Sequence, residues 1–402
     1  MVELADILAA RERIRDSISN TPCVHSPLLS ARTGAEVFYK LEILQFTGAF
    51  KERGALNKIL CLSPEERARG VIAASAGNHA QGVAYHAKRN GLRATIVMPE
   101  PTPLIKVANT RQHDAEVVLH GQNYEEAYTE AQRRCQEDGL TFIHPFDDEL
   151  VIAGQGTIGL ELLEALPDLE AVVVPVGGGG LIAGVAAAIK LQRPDVLVLG
   201  VQPERLPSMV RSLEAGQLVS LEPSRTIAEG IQVRRPGTRT FELVQRFVDE
   251  VGLVKEDEIA AAIVLLLERE KLLTEGAGAA GVAALMHAAF PQLRAKRVAV
   301  LLSGGNIDVH LLNLIIERNL VREGRLVRLA VQLDDRPGAL AQFLTVVGEQ
   351  GGNVMQVQHN RVFCGASLWQ ADIDITLETR NSEHAEQLKA ALCQQGYLVR
   401  NA

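Results

Sequence analysis

The sequence predicts an α/β protein with a large part built on parallel strands, followed by a smaller ferredoxin-like β-α-β-β-α-β module. Three observations predict it. From Val71 to Leu302, short strands rich in Val, Ile and Ala alternate with helix-like segments, the pattern of parallel strands covered on both faces. Aromatic residues make up only 4% of the chain while glycine and alanine abound, which suits tight strand-to-helix turns. Beyond Arg325 the pattern changes to a two-residue alternation.

The elements follow in order. Glu3 to Ile18 has helical apolar spacing (Leu4, Ile7, Leu8, Ile14, Ile18) and stops at Ser19-Asn20-Thr21-Pro22. Val71 to Ser75 reads as a strand and Asn78 to Arg89 as a helix. Ala94 to Met98 and Glu116 to His120 are strands, and Thr102 to Gln112 and Tyr124 to Asp138 are helices. The alternation continues through Ala171 to Val176, Leu181 to Gln192 and Val196 to Gln202, with Arg297 to Leu302 a further apolar strand. In the last part Val327 to Leu333, Asn353 to Asn360, Trp369 to Glu378 and Tyr397 to Arg400 are strands, and Pro337 to Gln350 and Glu383 to Gln395 are helices. The charged stretch Glu317 to Gly324 is expected to connect the two parts.

Composition narrows the class. A chain of 402 residues is too long for one simple core. Its 41 basic and 49 acidic residues argue against nucleic acid or an anionic membrane as partner. The five cysteines (Cys23, Cys61, Cys135, Cys364, Cys393) form no C-x-x-C pair. That argues against a disulfide framework or a zinc site and for the reducing cytoplasm. No basic-then-apolar leader opens the chain. Ala171 to Ile189 is uncharged and as long as a membrane span, but Pro175 and Gly177 to Gly180 break it into strand, loop and helix.

Four runs carry chemistry. Lys51, in Gln45-Phe46-Thr47-Gly48-Ala49-Phe50-Lys51-Glu52-Arg53-Gly54-Ala55, lies where a helix begins and is a candidate amine nucleophile; alone, it reads as a solvated surface charge, as most lysines do. Gly177-Gly178-Gly179-Gly180-Leu181 follows an apolar strand and precedes a helix. Its unobstructed N–H groups and the positive end of the helix suit a small phosphate monoester. It lacks the Gly-Lys-Ser/Thr of a Walker loop and the spacing of a dinucleotide turn. Ser75-Ala76-Gly77-Asn78-His79 offers exposed amides for a carboxylate and the Asn78 amide for a phenolate oxygen; Asn78 reads alternatively as a plain helix cap, and His79 as an ordinary half-buried histidine. Ser303-Gly304-Gly305-Asn306 ends another strand. Ligands in open α/β sheets gather outside such strand ends, so one cleft can collect all four runs.

These four ordered motifs resemble the fold-type II pyridoxal-phosphate enzymes (tryptophan synthase β-like). Within them the chain looks most like threonine dehydratase (threonine ammonia-lyase), with serine racemase a near relative. The resemblance implies a catalytic part over 1–320, with a smaller inserted subdomain at about 48–148. It implies Lys51 as the Schiff-base lysine and Phe50 beside the ring. Asn78 would meet the phenolic oxygen, Gly177, Gly178, Gly179, Gly180 and Leu181 the phosphate, and Ser303 the pyridine nitrogen. Ser75, Ala76, Gly77, Asn78 and His79 would bind the substrate carboxylate. Elimination and deamination of L-threonine, and of L-serine, would follow, with Lys51 as the base at Cα. Racemase relatives carry a serine where this chain has Ala76, which cannot transfer a proton, so elimination is favoured over racemisation. A β-replacement enzyme and a non-catalytic amino-acid sensor are the competing readings. Cation-binding members carry acidic ligands where this chain has Gln202 to Ser208, so no metal is expected.

Residues 327–402, after a linker at 321–326, resemble an ACT regulatory domain through Asp335-Arg336-Pro337-Gly338-Ala339-Leu340 and Gly351-Gly352-Asn353-Val354. That resemblance implies an isoleucine or valine effector near Asp335, Gly338, Ala339 and Asn353, and a homodimer or homotetramer.

Overall fold

The computed structural model describes residues 2–361 and 369–401; Cys364 lies outside them. The chain forms two compact units, divided in sequence between Ile307 and Asp308.

Among its described residues the first unit contains ten strands: β1 (Cys23–His25), β2 (Glu36–Lys40), β3 (Val71–Ala74), β4 (Ala94–Met98), β5 (Glu116–Leu119), β6 (Thr141–Phe142), β7 (Ala171–Pro175), β8 (Leu197–Pro203), β9 (Glu250–Val254) and β10 (Arg297–Leu301). They build two sheets. The larger has the order β1-β2-β10-β7-β8-β9 and is parallel except at β1, and the smaller has the order β5-β4-β3-β6 and is parallel throughout.

The uniformly apolar strands follow from cover on both faces. Successive side chains of β3 point to opposite sides. Val71 and Ala73 pack with Ala80, Val83 and Ala84 of the helix Asn78–Arg89. Ile72 and Ala74 pack with Ala127 and Ala131 of the helix Tyr124–Glu137. In the larger sheet, Val172 and Val174 share a core with Ile158, Leu162, Ile182 and Val185. The helix Glu149–Ala165 that carries Ile158 is held close to its neighbours by glycine. A Cβ on Gly154 would come within 2.7 Å of the Gly54 Cα, so the helix Lys51–Leu60 rests directly on its backbone.

The second unit has the element order β-α-β-β-α-β after a leading helix, Val309–Arg322. Its strands are β11 (Leu326–Asp334), β12 (Asn353–Asn360), β13 (Gln370–Glu378) and β14 (Leu398–Asn401), in an antiparallel sheet ordered β12-β13-β11-β14. Alternate residues Leu329, Val331 and Leu333, with Ile373, Ile375 and Leu377, pack on Phe343, Val347, Leu388 and Leu392 of two covering helices. The expected linker needs correction. Positions 321–322 end the leading helix, and Leu326 already belongs to β11. The charges that suggested a linker are the polar side of an amphipathic helix, whose Ile315 is buried. Among the described residues, no helix is long and apolar enough to cross a membrane.

Candidate active site

Strand direction brings the four runs together. β10 runs parallel to β2 and β7, so Ser303 and Gly177 leave the larger sheet at the same end. Ala49 and Gly304 form an antiparallel bridge, and the Phe50 amide donates to the Ser303 carbonyl at 3.0 Å. Lys51 therefore starts its helix beside Ser303, which is only 2% exposed. The smaller sheet contributes in the same way. β3 and β6 are parallel, and the loops that follow them present Ser75 to Asn78 and Ile143 to Phe146.

Lys51 is half-buried. Its Nζ donates to the Pro145 carbonyl at 2.8 Å and lies 5.1 Å from the centroid of the Phe50 ring. Burial lowers its pKa to about 8, although the nearby charge of Glu275 acts in the opposite sense. A half-buried amine of this kind is neutral far more often than an ordinary lysine, which is what a nucleophile needs.

The glycine loop is a cradle without side chains. The amides of Gly178, Gly179, Gly180 and Leu181 have no acceptor among the described residues. They converge at the start of the helix Gly180–Lys190, a ready anion site. Leu181 buries its side chain in the core of the larger sheet and offers only its amide. A Cβ on Gly178 would fall 2.4 Å from the Phe146 ring, and one on Gly180 would fall 2.9 Å from the Phe146 Cα. Gly179 has φ +98°, and a Cβ there would also meet Thr240 at 2.8 Å. These features fit a phosphate-bearing group. Gly179→Ala is expected to weaken pyridoxal phosphate binding by about tenfold or more, from left-handed strain and the clash; an absorbance titration of the apoprotein measures it.

Asn78 is buried at the start of its helix. Its Nδ2 donates to Glu275 Oε1 at 2.7 Å, and its Oδ1 accepts from Asn306 Nδ2 at 2.7 Å. Ser75, Ala76 and Gly77 are half-buried and can be reached from the cleft; Ser75 Oγ accepts from the Gly77 amide at 3.2 Å. His79 behaves differently from the rest of its run. It is 3% exposed, and its Nε2 faces the Ile143 carbonyl at 2.8 Å. Burial pushes its pKa down to about 3, so it is a neutral ring inside the wall.

Three contributors were not read from the sequence. Glu275 immediately precedes the helix Gly276–Met286, and burial raises its pKa to about 7. His144 Nδ1 accepts the amides of Phe146 and Asp147, at 3.2 and 2.7 Å, and shapes the turn behind Lys51. Phe146 covers the glycine loop. An acid placed just before a Gly- and Ala-rich helix was the available signal for Glu275.

In the second unit, Asp335, Gly338 and Ala339 line a cavity of about 250 Å³ together with His359 and Arg361. Arg361 pairs with Asp335 at 3.0 Å. Asn353 does not line it and instead bonds Glu378 at 3.0 Å.

Comparison with known proteins agrees with this geometry. Residues 14–304 match the family model for pyridoxal-phosphate dependent enzymes. The chain is 50% identical to an L-threonine ammonia-lyase of Thermotoga maritima, over 100% of this chain and 99% of that one. Among solved structures, it resembles the processed form of threonine deaminase isoform 2 from Solanum lycopersicum, with TM-score 0.75 and 41% identity over 78% of this chain and 86% of that one. A maize serine racemase is also similar, with TM-score 0.75 and 34% identity over 80% and 98%.

Proposed function

We propose a role for each residue of the cleft from one premise: the chain belongs to the pyridoxal-phosphate-dependent enzymes, and it deaminates L-threonine to 2-oxobutanoate and ammonia. The observation that carries the assignment is the desolvated amine of Lys51, set at the same strand ends as the glycine loop and Ser303.

Lys51 would take the cofactor aldehyde, with Phe50 beside the ring. The amides of Gly177 to Leu181 would hold the phosphate. Asn78 would donate to the phenolic oxygen and Ser303 to the pyridine nitrogen. Pyridoxal phosphate supplies a ring that spreads negative charge from the substrate Cα. The amides of Ser75 to Asn78 would orient the substrate carboxylate, and Lys51, released from the aldehyde, would remove the Cα proton. A hydroxyl at Ser303 cannot force protonation of the ring nitrogen as a carboxylate does, which favours prompt loss of the β-hydroxyl. Ala76 presents a methyl group and cannot return a proton to the opposite face, which supports elimination over racemisation. L-Serine, shorter by one methyl, would also be a substrate and yield pyruvate.

The second unit would be an ACT domain. Its element order and the cavity beside Asp335, Gly338 and Ala339 support a regulatory site for isoleucine or valine. The assembly would be a homodimer or homotetramer in the cytoplasm, a compartment that suits the free cysteines Cys23, Cys61, Cys135 and Cys393.

The test is release of ammonia and 2-oxo acid from L-threonine, L-serine and their D forms, with and without isoleucine or valine. L-Threonine should yield 2-oxobutanoate. An effector should shift its half-saturation roughly fivefold or more, and deletion of 326–402 should remove that response. D-Serine appearing without ammonia would overturn the assignment, and a response surviving the deletion would overturn the regulatory part.

A further inference from the structure

The hydrogen bonds around Asn78 have a fixed direction. Asn306 Nδ2 donates to the Thr47 carbonyl at 2.8 Å. A carbonyl can only accept, so the atom of Asn306 that faces it is nitrogen. The same nitrogen donates to Asn78 at 2.7 Å, so the Asn78 atom there is Oδ1. On its other side Asn78 meets Glu275 Oε1 at 2.7 Å. With Oδ1 already assigned on the Asn306 side, that atom is Nδ2, and it donates to the Glu275 oxygen. Turning the amide over would set Oδ1 against the carboxylate and N–H against N–H.

The anchors are themselves anchored. The Glu275 amide donates to the Gly304 carbonyl at 3.0 Å, and the Gly305 amide donates to the Gly48 carbonyl at 2.9 Å. A Cβ on Gly304 would lie 2.6 Å from Glu275 Oε1 and 3.1 Å from Asn78 Nδ2, so the contact requires glycine there. The charges that bear on Glu275 are Glu229 and Lys106, which pair with each other, and Lys51. Neither Glu275 nor Asn306 needs to touch a substrate for this arrangement to matter. An asparagine amide has two N–H groups. Glu275 takes one, and the other is left for the cleft.

We infer that Glu275 and Asn306 are positioning residues that lock the Asn78 amide with its N–H, not its oxygen, toward the phenolic oxygen of pyridoxal phosphate. The inference rests on the role proposed for Asn78 above.

The test uses purified holoenzymes of the full chain: wild type, Asn78→Ala, Glu275→Leu, Glu275→Gln, and the double variant Asn78→Ala/Glu275→Leu. Two quantities are read, the dissociation constant of pyridoxal phosphate and the pH midpoint of the visible absorption band. Glu275→Leu should weaken cofactor affinity by about tenfold and move the midpoint. Glu275→Gln, whose side-chain oxygen still accepts, should recover most of both. In the Asn78→Ala background Glu275→Leu should add almost nothing, because its partner is already gone. Equal losses in both backgrounds would overturn the inference, as would an unchanged midpoint in Glu275→Leu. If Asn78→Ala itself leaves affinity and midpoint untouched, the role of Asn78 fails and the inference falls with it.

Discussion

Replacing Lys51 by alanine is expected to abolish the visible absorption of the holoenzyme and lower turnover of L-threonine by at least about 10⁴-fold. The fold should survive, because the side chain makes one hydrogen bond, to the Pro145 carbonyl, and that carbonyl faces the cleft. Far-UV circular dichroism checks the fold, and ammonia release checks the turnover. Retained turnover would remove Lys51 from the mechanism. The pH dependence of loading gives an independent reading of the same amine. Lowered from 10.5 to about 8, it is neutral in about a tenth of molecules at pH 7, against roughly 0.03% at the ordinary value. Only the neutral amine attacks an aldehyde. The rate at which the apoprotein takes up pyridoxal phosphate should therefore rise with pH up to about 8 and level off beyond it.

The alternation of strand and helix was legible because parallel strands are apolar on both faces; β3, β4 and β7 were read to within a residue. The glycine loop stands out as a candidate anion site because four glycines in a row have few other uses. Glu275 does not stand out. It belongs to Asn78, 197 positions away, and its place before a Gly- and Ala-rich helix does not by itself tell it from a surface glutamate. The segment from Glu204 to Lys296 went largely unread, although it holds the helix Gly276–Met286 at the cleft. That helix is almost wholly buried, so it has no amphipathic period to betray it. The helix Val309–Arg322 was mistaken in the other direction, its polar face taken for a linker. The carboxylate role of residues 75–79 is read for their amides, and the His79 ring, read as that of an ordinary half-buried histidine, is directed at the Ile143 carbonyl inside the wall.

Arg53→Met is expected to cost about 3–5 kcal/mol of stability. Two residues after Lys51, Arg53 is 0% exposed. Its guanidinium meets Glu42 at 2.7 and 2.8 Å and Glu161 at 2.5 and 2.9 Å. Lys40 pairs with Glu161 at 2.6 Å and also donates to the Thr21 carbonyl at 2.6 Å. Two cations and two carboxylates thus neutralise one another out of water. A methionine of similar length would fill the space but leave Glu42 buried and without its cation. In the native protein burial alone would raise the pKa of Glu42, but the charges and hydrogen bonds of Arg53 outweigh it and hold the pKa below its ordinary value. The sign of the pH dependence follows. A depressed carboxylate contributes stability above its unfolded pKa and loses it as pH falls through the folded value. Arg53→Met lacks that contribution, so the gap between variant and native protein should narrow as pH is lowered below about 5. Urea unfolding followed by far-UV circular dichroism at pH 7 and in mild acid measures the gap. Adding Glu42→Gln to Arg53→Met should return part of the loss, because the orphaned charge is what costs most. A loss that is the same at both pH values, or that Glu42→Gln leaves unrelieved, would show that Arg53 acts by packing rather than by charge.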